Sequence, residues 1–200
     1  MPARASQFKK ACYYREAYAQ SKKFCIAGRK RMAEYIKYDK EHRLSDFNYS
    51  KANSYMLTFN TINREKCLSE IIDKGEIELP EVQLTVYGKI VEYYIKQIPS
   101  AYSDVKIDAY VIMPDHVHLL LSLMATEYTN RLENSKVSRI IRALKSLTTK
   151  QIGRSLWQAD FYDVIADTDK KFNRCYDYIK ANPAVWLRKR ESEPVFQLKE

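Results

Sequence analysis

The chain has 200 residues, of which 46% are hydrophobic and 12% aromatic, and its formal net charge is +9 at pH 7. This is the composition of a globular, soluble chain with material for one cored domain plus an appendage. No apolar run approaches the ~18 residues that a membrane span needs, and the N-terminus lacks the apolar segment of a secretory signal, so a cytoplasmic location with no membrane partner is expected.

The charge is concentrated at the N-terminus. Residues 1–46 hold 12 Lys and Arg against 5 Asp and Glu, a net +7. Phe8, Ala11, Cys12 and Tyr18 recur at loosely helical spacing, and Gly28 divides two expected helices. Basic clusters at Arg4, Lys9 and Lys10, then Lys22, Lys23, Arg29, Lys30 and Arg31, are interleaved with Tyr13, Tyr14, Phe24 and Tyr35. Such a mix suits contact with phosphates and stacking on bases, whereas a solvated charged helix is the plain alternative. The expected organisation is a basic helical arm over residues 1–46 and a separate domain over residues 47–200.

Beyond the arm, Ser54–Asn60 alternates as a strand and Glu81–Ile98 is expected as an amphipathic helix, with Leu84, Tyr87, Val91, Tyr94 and Ile98 near one face and Pro99 as its stop. Asp108–Met124 is a mostly apolar run interrupted by Pro114, which donates no ladder hydrogen bond, so the run is expected to fold back there as a hairpin. Ser135 is placed to cap a helix with a buried stripe of Val137, Ile140, Ile141, Leu144 and Leu147. Arg139, Arg142, Lys145 and Lys150 fall mostly off that stripe and give a basic outer face. Leu156–Asp167 is expected as a short strand with its approach. Thr168 or Asp167 then caps a last helix whose Phe172, Cys175, Tyr176 and Ile179 face the sheet. Strand, helix, hairpin, helix, strand is the order of a ferredoxin-like split βαβ sheet of the α+β class, antiparallel with helices on one face.

Within the hairpin, alternation puts His116, His118 and Leu120 on one side of the second strand and Val117, Leu119 and Leu121 on the other. Two imidazoles pointing the same way from a rigid strand suit a divalent metal, and a pair of hydrogen-bonded structural histidines is the alternative. His42 is the chain's only other histidine. Further ligands would therefore be oxygens or a thiolate. In the last helix Tyr178 and Asn182 lie one turn apart, to one side of the apolar stripe.

Four stretches in this order, YVIMPDHVHLLL, SRIIRALKSLTTKQI, LWQADFYD and CYDYIKANPAVW, resemble successive motifs of the REP-associated tyrosine transposases of the HUH single-tyrosine superfamily. The resemblance covers about Tyr55–Trp186. It implies a metal-dependent enzyme that nicks and joins single-stranded or hairpin DNA, with no small-molecule substrate. His116 and His118 would be ligands of Mg²⁺ or Mn²⁺, Tyr178 the nucleophile and Asn182 the third metal-binding position. Relatives include monomers and dimers, and a DNA-bound protein would be nucleoid-associated. Arg139, Arg142, Lys145 and Lys150 then become candidate DNA contacts together with the arm, as do Trp157 and Gln158. For Trp157, core packing stands beside base stacking.

One stretch departs from the family pattern. Relatives usually follow the Tyr-Asp of the WQ segment with basic residues, whereas this chain has Val164, Ile165, Ala166 and Asp167. That leaves open a domesticated DNA-binding protein with reduced or no catalysis. A zinc-dependent hydrolase using His116, His118 and either Cys175 or Asp115 is a third possibility. The cysteines Cys12, Cys25, Cys67 and Cys175 form no C-x-x-C pair and are expected as free thiols.

Overall fold

The computed structural model describes residues 51–75, 79–125 and 135–192, the last four as backbone only. The expected basic arm, with Lys22, Lys23, Arg29, Lys30 and Arg31, lies outside the described residues. These fall into two compact units, 51–70 with 82–180 in one and 71–75, 79–81 and 181–192 in the other.

The chain enters on β1 (Asn53–Asn60), turns through a 3₁₀ segment at Ile62–Arg64, and continues through β2 (Ser69–Ile72) and β3 (Glu81–Leu84) to helix α1 (Val86–Ala101). There follow β4 (Val105–Ile112), β5 (His116–Leu123), α2 (Lys136–Ile152), β6 (Tyr162–Ala166) and α3 (Asp169–Ser192), which begins in the first unit and ends in the second. The principal sheet has four strands in the order β4-β5-β1-β6, and every neighbouring pair is antiparallel. With β2 and β3 set apart as their own two-stranded sheet, this is the ferredoxin-like order expected from the sequence.

Alternation sorts the sheet into two chemically different faces. Tyr55, Leu57 and Phe59 of β1 join Val117, Leu119 and Leu121 of β5 in the main core. Against them pack Val91, Ile95 and Ile98 of α1 and Val137, Ile140, Ile141 and Leu144 of α2. Each fully buried aliphatic side chain there contributes about 1.5–3 kcal/mol relative to exposure. The opposite face carries Met56, Thr58, His116, His118 and Leu120, and these too are buried. In β4 the register skips Asp108 between Ile107 and Ala109, a bulge that keeps Ile107 and Tyr110 opposite the core residues Leu121 and Leu119.

Three sequence expectations are corrected. Glu81–Leu84 is a strand, and the helix begins only at Val86. The cause is Thr85, whose side chain accepts from Gly88 N while its own backbone N–H donates to Leu68 O at 3.0 Å, which stops the helix from extending backward. Pro99 does not end α1, which runs on to Ala101. So close to the C-terminus a proline removes one donor and leaves the helix nearly complete. Leu147 is not in the buried stripe but 45% exposed, and Thr148 is the residue that turns inward. Ser135 and Thr168 do cap their helices, accepting from Ser138 N and Lys171 N, each at 3.3 Å.

Candidate functional site

The site is built on the central strands β1 and β5, where Thr58 stands opposite His118 and Asn60 opposite His116. The two imidazoles meet edge to face with centroids 4.7 Å apart. Thr58 Oγ1 lies 2.7 Å from His118 Nδ1, which fixes the ring and leaves Nε2 buried with no hydrogen-bond partner among the described residues. A buried unpartnered imidazole nitrogen is costly unless something fills it, and the same hydroxyl-to-Nδ1 contact is how proteins orient a metal-ligating histidine. Burial first, then the charges of His116 and Arg64, push the His118 pKa well below its ordinary value. That direction favours the neutral imidazole, which presents a lone pair at Nε2 in the tautomer whose Nδ1–H donates to Thr58 Oγ1.

His116 is held from its other side. Its Nδ1 lies 2.5 Å from Asp115 Oδ1, and Arg64 Nε sits 3.0 Å from Asp115 Oδ2. Burial works against ionisation of Asp115, but the His116 hydrogen bond and the positive charges of His116 and Arg64 outweigh it and hold the carboxyl below its ordinary value. Arg64 Nη1 also donates to Asn60 Oδ1. A chain of side chains thus runs from Asn60 through Arg64 and Asp115 to His116.

Helix α3 brings Tyr178 to the histidine face, where its ring meets that of His118 edge on at 5.0 Å. The structure thus brings together His116, His118 and Tyr178, which are far apart in sequence. Asn182 follows one turn later on the same helix and is buried. Cys175, one turn before Tyr178, is buried, and burial pushes its thiol up to about 11, Lys171 pulling slightly the other way. A thiol so protonated is a poor zinc ligand. Among the described residues, no cluster of three or more His, Cys, Asp or Glu groups is placed to cage a metal. The zinc-hydrolase alternative asked for such a set.

The other expected contacts are placed in different ways. Arg139, Arg142 and Lys150 lie on the exposed side of α2. Lys145 bends instead over the following loop, where its Nζ donates to the carbonyls of Gln158 and Asp160 at 2.8 Å and Ala159 at 3.1 Å. Trp157 is a core residue and not a stacking platform. It is 8% exposed, its ring lies edge on to Phe59 at 4.9 Å, and its Nε1 donates to Thr148 Oγ1 at 2.8 Å. Next to it, Gln158 N donates to Asn60 O at 2.9 Å, so the half-buried Gln158 adjoins the site.

Sequence reasoning missed Thr58, Asn60 and Arg64. Thr58 was discoverable, because a strand pairing with the histidine strand must offer alternate residues to the same face. Arg64 carried no such signal, since it arrives from an irregular turn.

Residues 49–182 match the family described as IS200-like transposases. An uncharacterized protein of Haemophilus influenzae is 28% identical over 163 residues, spanning 72% of this chain and 87% of that protein. A solved REP-associated tyrosine transposase bound to a REP hairpin aligns with a TM-score of 0.51 at 22% identity, over 72% of this chain and 74% of that one. At that identity the likeness is one of fold. No helix among the described residues is long and apolar enough to cross a membrane. The family match covers more than half of the chain and takes in the paired histidines, Tyr178 and Asn182, so the chain belongs to the IS200-like transposases, a family of DNA-processing enzymes.

Proposed function

We propose that the protein nicks and rejoins single-stranded or hairpin DNA through a covalent 5′-phosphotyrosine at Tyr178. The observation that carries this reading is the Tyr178 ring lying against His118, whose buried Nε2 has no hydrogen-bond partner among the described residues. The phenol oxygen attacks the scissile phosphorus, the bond to the 3′-oxygen breaks, and the proton of the phenol is balanced by protonation of the departing 3′-hydroxyl. Attack by a 3′-hydroxyl on the phosphotyrosine reverses the step without ATP, because the phosphodiester energy is kept in the tyrosyl ester.

The residues fit a divalent ion. Mg²⁺ or Mn²⁺ would be held by His116 and His118, and when bound it would polarise the phosphate and stabilise developing charge. The chain's own part is orientation. Thr58 and Asp115 fix one nitrogen of each imidazole, and α3 delivers the tyrosine. Arg139, Arg142 and Lys150 on α2, Gln158 beside Asn60, and the arm supply candidate DNA contacts around this centre.

The test is incubation with a library of single-stranded hairpin oligonucleotides and Mn²⁺, followed by denaturing electrophoresis. A denaturant-resistant adduct mapping to Tyr178 is expected, together with its loss in Tyr178→Phe while circular dichroism is unchanged. An adduct on a different tyrosine, or full nicking by Tyr178→Phe, overturns the proposal. One observation favours a binding-only protein as the second reading: β6 places Val164 beside Met56 on the histidine face, where relatives carry basic residues. DNA binding by the wild-type protein with no adduct under any metal would select it.

A further inference from the structure

We propose that Arg64 is a DNA-phosphate contact of the histidine site, with Nε and Nη1 of its guanidinium held by Asp115 and Asn60 and Nη2 presented to the backbone of a bound single strand. The inference rests on the strand-nicking reading above and assigns a residue that reading leaves without a role.

Three observations converge on it. The first is how the side chain is held. Nε and Nη1 are engaged by Asp115 Oδ2 and Asn60 Oδ1, yet the side chain remains 48% exposed, and Nη2 has no partner among the described residues. Asp115 itself is only 6% exposed on its side chain, so the pair is a buried carboxylate carrying a half-exposed cation. A planar guanidinium held at two nitrogens keeps the third pre-aimed, so Nη2 can donate to a phosphate oxygen without first being ordered.

The second is the backbone that delivers it. Asn63 and Arg64 both have positive φ, 53° and 56°. Asparagine is a common occupant of that region, but arginine is not, and each such residue costs on the order of 1–3 kcal/mol. The surroundings enforce the turn. Thr61 N donates to Asp115 O at 3.0 Å, Ile62 N to Leu156 O at 2.9 Å, and Thr61 Oγ1 to Glu65 O at 2.8 Å. Arg154 grips Glu65 with two bonds of 2.7 and 2.8 Å. Salt-bridging alone would not demand such a turn, since an arginine in ordinary backbone reaches a surface carboxylate readily.

The third is place. Arg64 joins His116 through Asp115, so its guanidinium stands one hydrogen-bonded side chain away from the histidine pair. A fixed cation there needs no reorganisation as negative charge develops on the phosphate oxygens.

The experiment measures binding rather than cleavage. The full chain is titrated, in EDTA, against a fluorescein-labelled single-stranded oligonucleotide of mixed sequence across a KCl series, followed by anisotropy. Arg64→Gln is expected to weaken binding about fivefold to tenfold and to flatten the log–log salt slope by about 0.7, the increment for one phosphate contact on a single strand. An unchanged slope overturns the proposal. The paired variant Arg64→Gln with Asp115→Asn restores the local charge balance and is expected to bind as weakly as Arg64→Gln. Recovery of wild-type affinity and slope would show that Arg64 only neutralises Asp115. If Arg64→Gln does not fold, Arg64→Lys is expected to keep the slope and lose affinity severalfold, because one ammonium cannot serve Asp115 and a phosphate together; unchanged affinity overturns the proposal. A wild-type protein that binds the strand but forms no tyrosyl adduct sinks the nicking reading and leaves this comparison intact.

Discussion

At His118, burial first and then the electrostatics of neighbouring His116 and Arg64 act in the same direction and hold the pKa well below that of an ordinary histidine. Its orientation depends on a single threonine. Removing the hydroxyl in Thr58→Val keeps the β-branched shape that the strand packs but frees Nδ1 from its 2.7 Å contact. Mn²⁺ affinity is expected to fall about tenfold or more, the usual effect of losing a partner behind a ligating histidine. A calorimetric Mn²⁺ titration checks it, and unchanged affinity would show that packing alone orients the ring. The same variant should also melt measurably earlier, since Nδ1 then becomes a buried unpaired group. Losing one buried partner costs about 1–3 kcal/mol.

Among the elements, α1 is docked by its smallest residue. A Cβ built on Gly88 would lie 2.0 Å from the Leu68 carbonyl oxygen, which also accepts from Thr85 N. Helix propensity alone predicts that Gly88→Ala stabilises by about 1 kcal/mol. Backbone overlap reverses the sign, and a loss of about 1–3 kcal/mol is expected in urea unfolding. A gain would mean that α1 shifts freely on the strand below it. The same region shows where sequence patterns fail. Leu84, Tyr87 and Val91 continue at helical spacing, yet four residues are too few for period two to declare β3, and only the cap at Thr85 marks the boundary. Long regular elements were legible: β1, the hairpin and α2 stand within a few residues of their expected limits, as does the start of α3, which however runs on through Pro183 to Ser192. Leu147 and Thr148 exchanged places because the Trp157 N–H needed an acceptor, a demand that no local pattern reveals.

For the whole molecule, affinity and chemistry are expected to separate. Residues 1–46 hold +7 of the +9 net charge, whereas His116, His118, Tyr178 and Asn182 lie on the sheet and last helix. Deleting the arm should weaken DNA binding strongly and flatten its salt dependence, yet leave the tyrosyl adduct obtainable at raised DNA concentration. An unchanged salt slope would mean a solvated appendage; loss of the adduct at every concentration would mean that the arm completes the site. The facing of the histidine pair could be read from strand alternation, whereas Tyr178 was singled out by the resemblance of its stretch to the family's motif. Arg64 could not, because a left-handed turn leaves no periodic trace. A different consequence follows from the bulge at Asp108. Strand β4 ends the sheet, so its outer rim could template a strand from a second molecule. The skipped residue breaks the regular spacing of that rim. Deleting Asp108 would keep Ile107 and Tyr110 on the core side while making the rim continuous. Sedimentation should then show concentration-dependent, rim-to-rim self-association beyond that of the wild-type protein, which makes the extra residue a guard against aggregation.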